Sequence, residues 1–162
     1  MRPASLAQDD TPTRDVLAHV VGELAAEGYA PDAVLTLQPT SPLRQSRHID
    51  EAVALFTADP NADSLVSCIE VPHIFHPLSV MKKADDGYLK PYIDRPQPYR
   101  RQDKETVLAR NGAAIYITRT ARLADYVFGG RLLPYVMDAE SSIDIDSADD
   151  LAVAERLLRA RG

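Results

Sequence analysis

The sequence has 162 residues, of which 45% are hydrophobic, and this is enough for one domain with a buried core. Its net charge of −6 and the lack of a long lysine or arginine run argue against a nucleic-acid-binding surface. With a single cysteine and no apolar run of about 18 residues, the chain is predicted to be cytoplasmic, without disulfides or a membrane span.

The first predicted element is a helix over Pro12–Glu27, after a loop over Met1–Asp10. Thr11 is the expected N-cap, because a threonine before a proline at the first helical position is typical of helix starts. Apolar residues at helical spacing predict one buried face. They are Val16, Leu17, Val20, Val21 and Leu24.

A proline-rich loop follows the first predicted strand. The apolar run Ala33–Leu37 predicts a strand buried on both faces, and Pro39 and Pro42 stiffen the loop after it. Open α/β sheets bind ligands at this carboxyl end of a strand. The loop is expected either to present polar side chains to a ligand or merely to cap the next helix. These side chains are Gln38, Thr40, Ser41 and Arg44.

A helix and a second strand come next. Ser46 is expected to cap a helix through Ala58, and Ser64–Val71 is expected to be the strand. Because the helix crosses over the sheet, this strand is predicted to pair in parallel with the first. Cys68 is interpreted as a small core hydrophobe. The inward face of the helix is predicted to contain Ile49, Ala52, Val53 and Phe56.

The periodicity changes after this strand and predicts an inserted β-rich arm. Ser79–Ala84 and Tyr88–Ile93 flank Asp85-Asp86-Gly87, which is typical of a hairpin turn. His73 and His76 lie in the preceding loop. Because neither a cysteine nor a third histidine lies nearby in the sequence, zinc is not expected there.

Asp94–Thr106 is a long irregular stretch with four cationic side chains in an otherwise acidic chain. It is either a solvated connection or a segment that engages an anionic substrate or a partner subunit. The sequence leaves both interpretations open. The four cations are Arg95, Arg100, Arg101 and Lys104.

Further strands are predicted in the last third of the chain. Val107–Arg110 and Ala113–Thr118 meet at Asn111-Gly112, and a short helix is predicted over Thr120–Tyr126. Arg131–Met137 contains a proline and is therefore predicted to be an edge or bulged strand.

Two aspartates precede the last helix. Asp144 and Asp146 alternate with isoleucines, so their carboxylates share one face of an extended stretch. Like charges so placed repel unless a cation bridges them. Mg²⁺, held by one or two carboxylates and completed by water and substrate oxygens, fits the pair. The Asp-x-Asp pattern is common, however, and the residues alone leave the ion open.

The last predicted helix begins at Ser147, with Asp150 as its capping partner three residues later. Apolar spacing again predicts one buried stripe. It consists of Leu151, Ala154, Leu157 and Leu158.

Four motifs stand in order along nearly the whole chain. They are Arg2-Pro3 with Leu6-Ala7-Gln8-Asp9-Asp10-Thr11, then Leu37-Gln38-Pro39-Thr40-Ser41-Pro42-Leu43-Arg44, then Asn111-Gly112-Ala113-Ala114-Ile115-Tyr116-Ile117, and Ser142-Ile143-Asp144-Ile145-Asp146. Together they resemble the acylneuraminate cytidylyltransferases, also called CMP-sialic acid synthetases. Enzymes for legionaminic, pseudaminic or other nonulosonic acids look similar over the same motifs, so the acceptor sugar stays open.

The resemblance implies transfer of CMP from CTP to a sialic-acid-like nonulosonic acid, with release of pyrophosphate. The anomeric hydroxyl of the sugar attacks the α-phosphorus, and Mg²⁺ and cationic side chains stabilise the developing charge. The resemblance also implies a homodimer.

Matching positions carry the implied roles. Asp144 and Asp146 resemble the metal-binding carboxylates at the catalytic centre, and Arg101 resembles an arginine that reaches the sugar carboxylate from the neighbouring subunit. Gln38 resembles a sugar contact. The other implied substrate contacts are Thr40, Ser41, Asn111, Tyr116 and Phe128, and the implied nucleotide contacts are Arg2 and Thr13.

The implied fold is a Rossmann-like nucleotide-diphospho-sugar transferase sheet with three α/β/α layers. A single domain over 1–162 is expected, with a dimerisation arm inserted at 72–110. Family members open with a strand and a glycine-rich phosphate loop that this sequence lacks, so the domain is expected to be partial, without its first strands. The alternatives are a non-catalytic fragment of such an enzyme and a related sugar nucleotidyltransferase with another acceptor.

Overall fold

Three α-helices and seven strands are found where the computed structural model describes the chain, which is over residues 3–96, 100–112 and 114–161, with only the backbone at Arg101. In these ranges no helix combines the length and apolar character that crossing a lipid bilayer requires. The helices are α1 (Thr13–Ala26), α2 (Ser46–Ala58) and α3 (Ala148–Arg161). The strands are β1 (Ala33–Thr36), β2 (Ser64–Glu70), β3 (Met81–Lys83), β4 (Leu89–Pro91), β5 (Leu108–Arg110), β6 (Tyr116–Arg119) and β7 (Leu132–Val136).

The chain divides into two compact units. Unit 1 combines Met1–Cys68 with Arg110–Gly162, and unit 2 is Ile69–Ala109. Unit 2 nearly coincides in sequence with the predicted arm over 72–110. The function of that arm in dimerisation and the grouping of the whole chain as one domain stay predictions.

The sheet of unit 1 is mixed. β6 pairs antiparallel with β1 on one side and with β2 on the other, and β7 pairs in parallel with β2. The predicted direct pairing of the first two strands is therefore wrong, although the crossover helix does make them run in the same direction. A later segment supplies the antiparallel strand between them, and local sequence carries no signal for such an insertion.

The core of unit 1 lies between this sheet and α2. One row of aligned residues crosses four strands, from Leu35 through Ile117 and Leu65 to Leu133. Ala52 and Phe56 of α2 belong to the same apolar cluster. Residues aligned across paired strands share one face of a sheet, so the row presents a continuous apolar surface to the helix. Cys68 is 3% exposed, which confirms its predicted place in the core, and burial raises the pKa of its thiol.

The buried stripes predicted for α1 and α3 are largely wrong. No described side chain of α1 is buried, and Val20 is 44% exposed. In α3 only Ala154 is buried, whereas Leu151 and Leu158 are 47% and 45% exposed. The spacing of apolar residues reports that a helix has an apolar face, but burial also requires another element to cover that face.

The helix starts follow the sequence in one case out of three. Pro12 precedes α1 in place of the predicted cap Thr11. Gln45 precedes α2 and forms a reciprocal capping box with His48, in place of the predicted cap Ser46. Ser147 and Asp150 do form the predicted cap of α3: the Ser147 amide donates to the Asp150 carboxylate at 2.9 Å, and the Asp150 amide donates to the Ser147 hydroxyl at 3.3 Å.

Two further predictions are settled at β7 and the segment before it. The short helix expected over Thr120–Tyr126 is only a 3₁₀ turn at Thr120–Arg122. The prediction of an edge strand is confirmed, because β7 pairs only with β2 among the described strands and Pro134 lies within it. Proline removes one amide donor, which an edge strand tolerates.

Unit 2 contains the predicted hairpin. β3 and β4 pair antiparallel, and Gly87 between them adopts a φ of +86°. His76 is buried, and both ring nitrogens have backbone partners, the Leu78 amide at 3.1 Å and the Glu105 carbonyl at 3.2 Å. The Val71 amide donates to the Val107 carbonyl at 2.8 Å, which brings the two ends of the unit together.

Candidate functional site

The proline-rich loop after β1 is fixed by Arg44. Its guanidinium donates to the carbonyl of Gln38 at 3.1 Å and to that of Ala114 at 2.7 Å. Arg44 therefore braces the backbone instead of offering its fork to a ligand, and burial lowers its pKa. Ser41 is 1% exposed, whereas Gln38 and Thr40 are half-buried. The buried Ser41 hydroxyl has no hydrogen-bond partner among the described groups, so Gln38, Thr40 and Ser41 all keep free polar atoms or exposed surface.

The segment with the two aspartates lies against this loop. The Ile145 amide, between Asp144 and Asp146, donates to the Thr40 carbonyl at 2.9 Å. Neither carboxylate takes part in an ion pair with any residue that the structure describes. The two motifs, far apart in the sequence, therefore meet in unit 1 and leave both carboxylates without a cationic partner.

Gly112 provides the space in which the Asp144 carboxylate lies. Its φ is +70°, and a Cβ built at this position would overlap Oδ2 and Cγ of the Asp144 carboxylate. Only glycine combines this backbone conformation with this close approach. Oδ1 of Asp144 is buried and has no hydrogen-bond partner among the described groups. A buried carboxylate oxygen without a partner is costly and is a candidate to receive a ligand.

An aromatic pair and an arginine surround the same glycine. Tyr116 is 8% exposed, and its hydroxyl donates to the Gly112 carbonyl at 2.6 Å. Its ring lies 5.1 Å from that of Phe128. Arg110 donates from Nη1 to the Tyr116 hydroxyl at 3.3 Å and stacks 4.5 Å from the centroid of the Phe128 ring. We call these five residues, Arg110, Gly112, Tyr116, Phe128 and Asp144, the Gly112 cluster.

Asn111 precedes Gly112 in the sequence, and its side chain is buried. Its amide Nδ2 donates to the Ser142 hydroxyl at 2.8 Å and to the Met137 sulfur at 3.4 Å. The Ser142 hydroxyl in turn donates to the Asp138 carbonyl at 2.7 Å. Asn111 thus connects the two loops that carry Gly112 and Asp144. Its Oδ1 is buried and lacks a hydrogen-bond partner in the described chain.

Asp144 and Asp146 offer carboxylate oxygens, the type of ligand that a hard cation prefers, but they supply only part of its coordination shell. Asp146 is exposed and Asp144 is half-buried with one unpartnered oxygen. Within the described ranges, no cluster of three or more histidine, cysteine, aspartate or glutamate side chains is arranged to hold a metal. Mg²⁺ commonly uses one or two protein carboxylates and completes its shell with water and substrate oxygens. Among the described residues the two carboxylates are therefore not part of a complete metal cage.

Three residues implied by the resemblance are not brought to the cluster by what the structure describes. Thr13 is exposed at the start of α1, and no hydrogen bond between described groups joins it to the Gly112 cluster. Arg2 lies outside the described residues. The side chain of Arg101 also lies outside the description, and its backbone belongs to a 3₁₀ turn of unit 2.

Sequence reasoning missed the functional environment of Gly112 and Arg110. Asn111-Gly112 was recognisable as a turn, because this dipeptide favours positive φ. Nothing in the local sequence, however, shows that the Asp144 carboxylate fills the space at the glycine. The sequence indicates Arg110 only as the end of a strand, since its contacts with Tyr116 and Phe128 depend on tertiary structure.

Relatives among known proteins align with almost the whole chain. It is 31% identical over 151 residues to the N-acylneuraminate cytidylyltransferase of Streptococcus agalactiae serotype V, covering 93% of this chain and 35% of that protein. It is 30% identical over 158 residues to the N-acylneuraminate cytidylyltransferase of Escherichia coli O18:K1:H7, covering 95% and 35%. The resemblance drawn from the four motifs is therefore confirmed, and the chain spans about a third of the length of these curated relatives. No family model matches the chain.

A solved structure shares the fold. It is a CMP:2-keto-3-deoxy-manno-octonic acid synthetase complexed with CTP, with a TM-score of 0.62 and 17% sequence identity. The superposition covers 95% of this chain and 70% of that one. At 17% identity the superposition supports a common fold and assigns no role to any residue of this chain.

Proposed function

We propose that this chain is a cytidylyltransferase that transfers CMP from CTP to a sialic-acid-like nonulosonic acid and releases pyrophosphate. The observation that carries the proposal is the hydrogen bond from the Ile145 amide to the Thr40 carbonyl. It joins the two motifs that the chemistry needs, a polar loop at the end of a strand and a pair of carboxylates. The similarity to N-acylneuraminate cytidylyltransferases supports the choice of reaction.

We assign each residue a role in the proposed reaction from its surroundings in the structure. Tyr116 and Phe128 form a tilted aromatic pair that we assign to the sugar side of the site, and Gln38 is half-buried in the loop that Arg44 braces. Asp144 lies in the space left by Gly112, so the glycine determines where its carboxylate can lie. Such preorganisation allows a site to stabilise charge without reorganising during the reaction.

Mg²⁺ is the cofactor we propose, with Asp144 and Asp146 as its protein ligands. A bound Mg²⁺ would supply Lewis-acid stabilisation of the phosphoryl oxygens. The protein side of this arrangement is the unpartnered Oδ1 of Asp144 and the exposed, unpaired carboxylate of Asp146. The capped start of α3, immediately after Asp146, fixes the backbone there through Ser147 and Asp150.

A homodimer and a cytoplasmic location complete the proposal. Support for the dimer comes from unit 2, where several large apolar side chains are between 62% and 75% exposed. Large exposed apolar side chains of this kind are candidates for burial in an interface between subunits. They are Ile74, Phe75, Tyr88, Leu89 and Tyr92. In a dimer, Arg101 of this unit would be offered to the acceptor carboxylate in the partner.

The activity is tested by incubating the full chain with CTP, MgCl₂ and N-acetylneuraminate and following pyrophosphate release and CMP-sugar formation. We expect product, and a loss of about a hundredfold or more in rate for Asp144→Asn and for Asp146→Asn, because each removes a charged ligand. Asp149→Asn is the matched control, since this exposed acid lies in the first turn of α3 and has no role in the proposal.

Two results would contradict the proposal. Absence of product from the unmodified chain would favour the non-catalytic fragment, and binding of CTP or the sugar acid without turnover would be its signature. Product formed equally by the Asp144→Asn variant would remove the carboxylate pair from the mechanism. Turnover with other nucleotides or acceptors, but not with these, would favour a related sugar nucleotidyltransferase.

A further inference from the structure

Asn111 is fixed by its backbone as well as by its side chain. It is 5% exposed, and its backbone amide donates to the Ser67 carbonyl of β2 at 3.4 Å. The side-chain Nδ2 donates to the Ser142 hydroxyl at 2.8 Å and to the Met137 sulfur at 3.4 Å. The Met137 amide donates in turn to the Cys68 carbonyl of β2 at 2.8 Å. Asn111 therefore connects the sheet of unit 1 with the loop that follows β7.

The orientation of the Asn111 amide follows from the chemistry of its partner. The Ser142 hydroxyl donates to the Asp138 carbonyl at 2.7 Å, and a carbonyl can only accept. Because the single proton of the hydroxyl is used there, its oxygen can only accept from Asn111, so Nδ2 and not Oδ1 faces Ser142. We call the hydrogen bonds from Asn111 to Ser142 and from Ser142 to Asp138 the Asn111–Ser142 link. The link requires a donor on the side chain of residue 111.

The loop that carries Asp144 is held on both sides of that residue. The Asn111–Ser142 link fixes the loop two residues before Asp144. One residue after it, the Ile145 amide donates to a carbonyl of the proline-rich loop at 2.9 Å. Between these two points the Asp144 carboxylate lies in the space left by Gly112, the residue that follows Asn111. Two neighbouring residues thus anchor the loop and leave room for its carboxylate.

The polar atoms of the Asn111 side chain are out of reach of a substrate in this structure. Nδ2 carries two hydrogens, and the Ser142 oxygen and the Met137 sulfur accept them. Oδ1 is buried and has no hydrogen-bond partner among the described groups. A substrate could therefore contact Asn111 only if this buried side chain moved.

We propose that Asn111 is a positioning residue that holds Asp144 in place through Ser142, and that it contacts neither substrate. The inference deepens the proposed function and rests on it, since it takes Asp144 to be a Mg²⁺ ligand. Hydrogen-bonded partners behind metal ligands orient those ligands, and their loss commonly weakens metal binding. The resemblance implies a substrate contact at Asn111, and the burial of its polar atoms argues against that role.

Asp146 is fixed by a different contact. Its amide donates to the Asp150 carboxylate at 3.3 Å, within the capped start of α3. Loss of the Asn111–Ser142 link should therefore displace Asp144 and leave Asp146 in place. A pair in which one carboxylate is misplaced should bind a divalent cation more weakly, without any change in the surfaces that bind the substrates.

The test uses the full chain with Asn111→Ala or Ser142→Ala, because each removes the link. Mn²⁺, which accepts the same oxygen ligands as Mg²⁺, is titrated without substrates and followed by electron paramagnetic resonance. Both variants should weaken Mn²⁺ binding and lower kcat, each by about tenfold to a hundredfold. The KM values for N-acetylneuraminate and CTP should stay within about twofold of those of the unmodified chain. Hydrogen–deuterium exchange over 139–146 should be faster in both variants.

Two control variants separate positioning from a general loss of stability. Ser142→Thr keeps the hydroxyl and should retain Mn²⁺ affinity and most of kcat. Thr120→Ala is the matched control, since it removes a hydroxyl that likewise donates to a backbone carbonyl, that of Pro31, beyond the end of β6 distant from Gly112. It should lower the thermal stability and leave Mn²⁺ affinity and kcat unchanged.

Each result supports or overturns the inference. A raised KM for either substrate with unchanged kcat in Asn111→Ala would make Asn111 a substrate contact. Unchanged Mn²⁺ affinity and kcat in both alanine variants, or equal losses in Thr120→Ala, would also overturn the inference, and all these results leave the proposed function standing. If the unmodified chain forms no product but only the alanine variants of Asn111 and Ser142 lose Mn²⁺ affinity, the proposed function fails and the positioning of Asp144 stands. A chain that neither binds Mn²⁺ nor forms product removes both.

Discussion

At Gly112 the backbone has a φ of +70°, and the Asp144 carboxylate occupies the space where a side chain would begin. The same residue accepts the Tyr116 hydroxyl at its carbonyl. One residue without a side chain therefore sets the positions of an acidic group and an aromatic ring. The candidate site is accordingly most sensitive at a position that has no functional group of its own.

Gly112→Ala is expected to destabilise the chain by about 1–3 kcal/mol, because alanine is strained at this φ and its methyl group overlaps Asp144. The displaced carboxylate should also lower the rate of the proposed cytidylyl transfer. Gly22→Ala is the control: it lies in α1 with open space around it and should stabilise by roughly 0.5–1 kcal/mol through helix propensity. Urea unfolding of both variants measures the difference. If Gly112→Ala and Gly22→Ala changed the free energy of unfolding equally, the close approach of Asp144 to Gly112 would have no energetic consequence.

The sequence indicates most of the residues of the candidate site, but it does not show which of them contact one another. The alternation of Asp144 and Asp146 and the polar residues of the proline-rich loop are visible in the sequence alone. The sequence does not predict that the Arg44 guanidinium donates to the carbonyls of Gln38 and Ala114, because both contacts need the folded sheet. Ser41 likewise becomes buried through packing that composition does not encode.

At the scale of elements, α2 illustrates how a helix start can carry a buried titratable group. Nδ1 of His48 accepts the Gln45 amide at 3.1 Å, so the proton of the neutral ring is on Nε2. His48 is 1% exposed, and Nε2 lacks a hydrogen-bond partner among the described groups. Burial first, and then the charge of Arg47, lower its pKa, while Asp138 and Glu51 oppose the shift.

This shift predicts a loss of stability on mild acidification. The unfolded chain takes up a proton on this histidine near pH 6.5, whereas the folded chain does so only at lower pH. Stability should therefore fall as the pH decreases below about 6.5, by up to about 1.4 kcal/mol per pH unit until the folded pKa is reached. His48→Gln keeps an acceptor for the helix start and should flatten the profile between pH 7 and 5. His19→Gln should leave the slope in place, and thermal unfolding across this range measures it.

A slope that persists in His48→Gln would mean that another group titrates in this window. Lowered carboxylate pKa values do not interfere, because Asp63, Asp138 and Asp150 contribute stability that is lost only as the pH falls below about 4. For Asp63 the first cause is the hydrogen bond from the Arg131 amide, followed by the one from Arg122.

Element types were predicted better than element partners. The hairpin of unit 2 and the cap of α3 follow from short stretches, Asp85-Asp86-Gly87 and Ser147 with Asp150, whose own chemistry decides the outcome. The place of β6 between β1 and β2 depends on pairing between distant segments. Apolar spacing in α1 indicated the apolar face and could not indicate whether another element covers it.

At the scale of the whole molecule, the exposed apolar residues of unit 2 predict self-association. A chain with Phe75→Asp and Leu89→Asp should be monomeric where the unmodified chain is dimeric, because charges at two residues that are 64% and 66% exposed disfavour a buried interface. Val20→Asp introduces the same charge at an exposed apolar residue of α1 and should leave the dimer intact. Size-exclusion chromatography with light scattering at several concentrations distinguishes the forms. A monomeric unmodified chain would refute the dimer.

The hydrogen bond from the Val71 amide to the Val107 carbonyl joins the two ends of unit 2. The contact between Thr40 and Ile145 closes a long loop of chain, and unit 2 is inserted within that loop. The entropy of loop closure grows only with the logarithm of loop length, about 0.6 kcal/mol per doubling, and an insert with joined ends adds less than its full length. Unit 2 can therefore lengthen, shorten or be exchanged at little thermodynamic cost to the contact between Thr40 and Ile145.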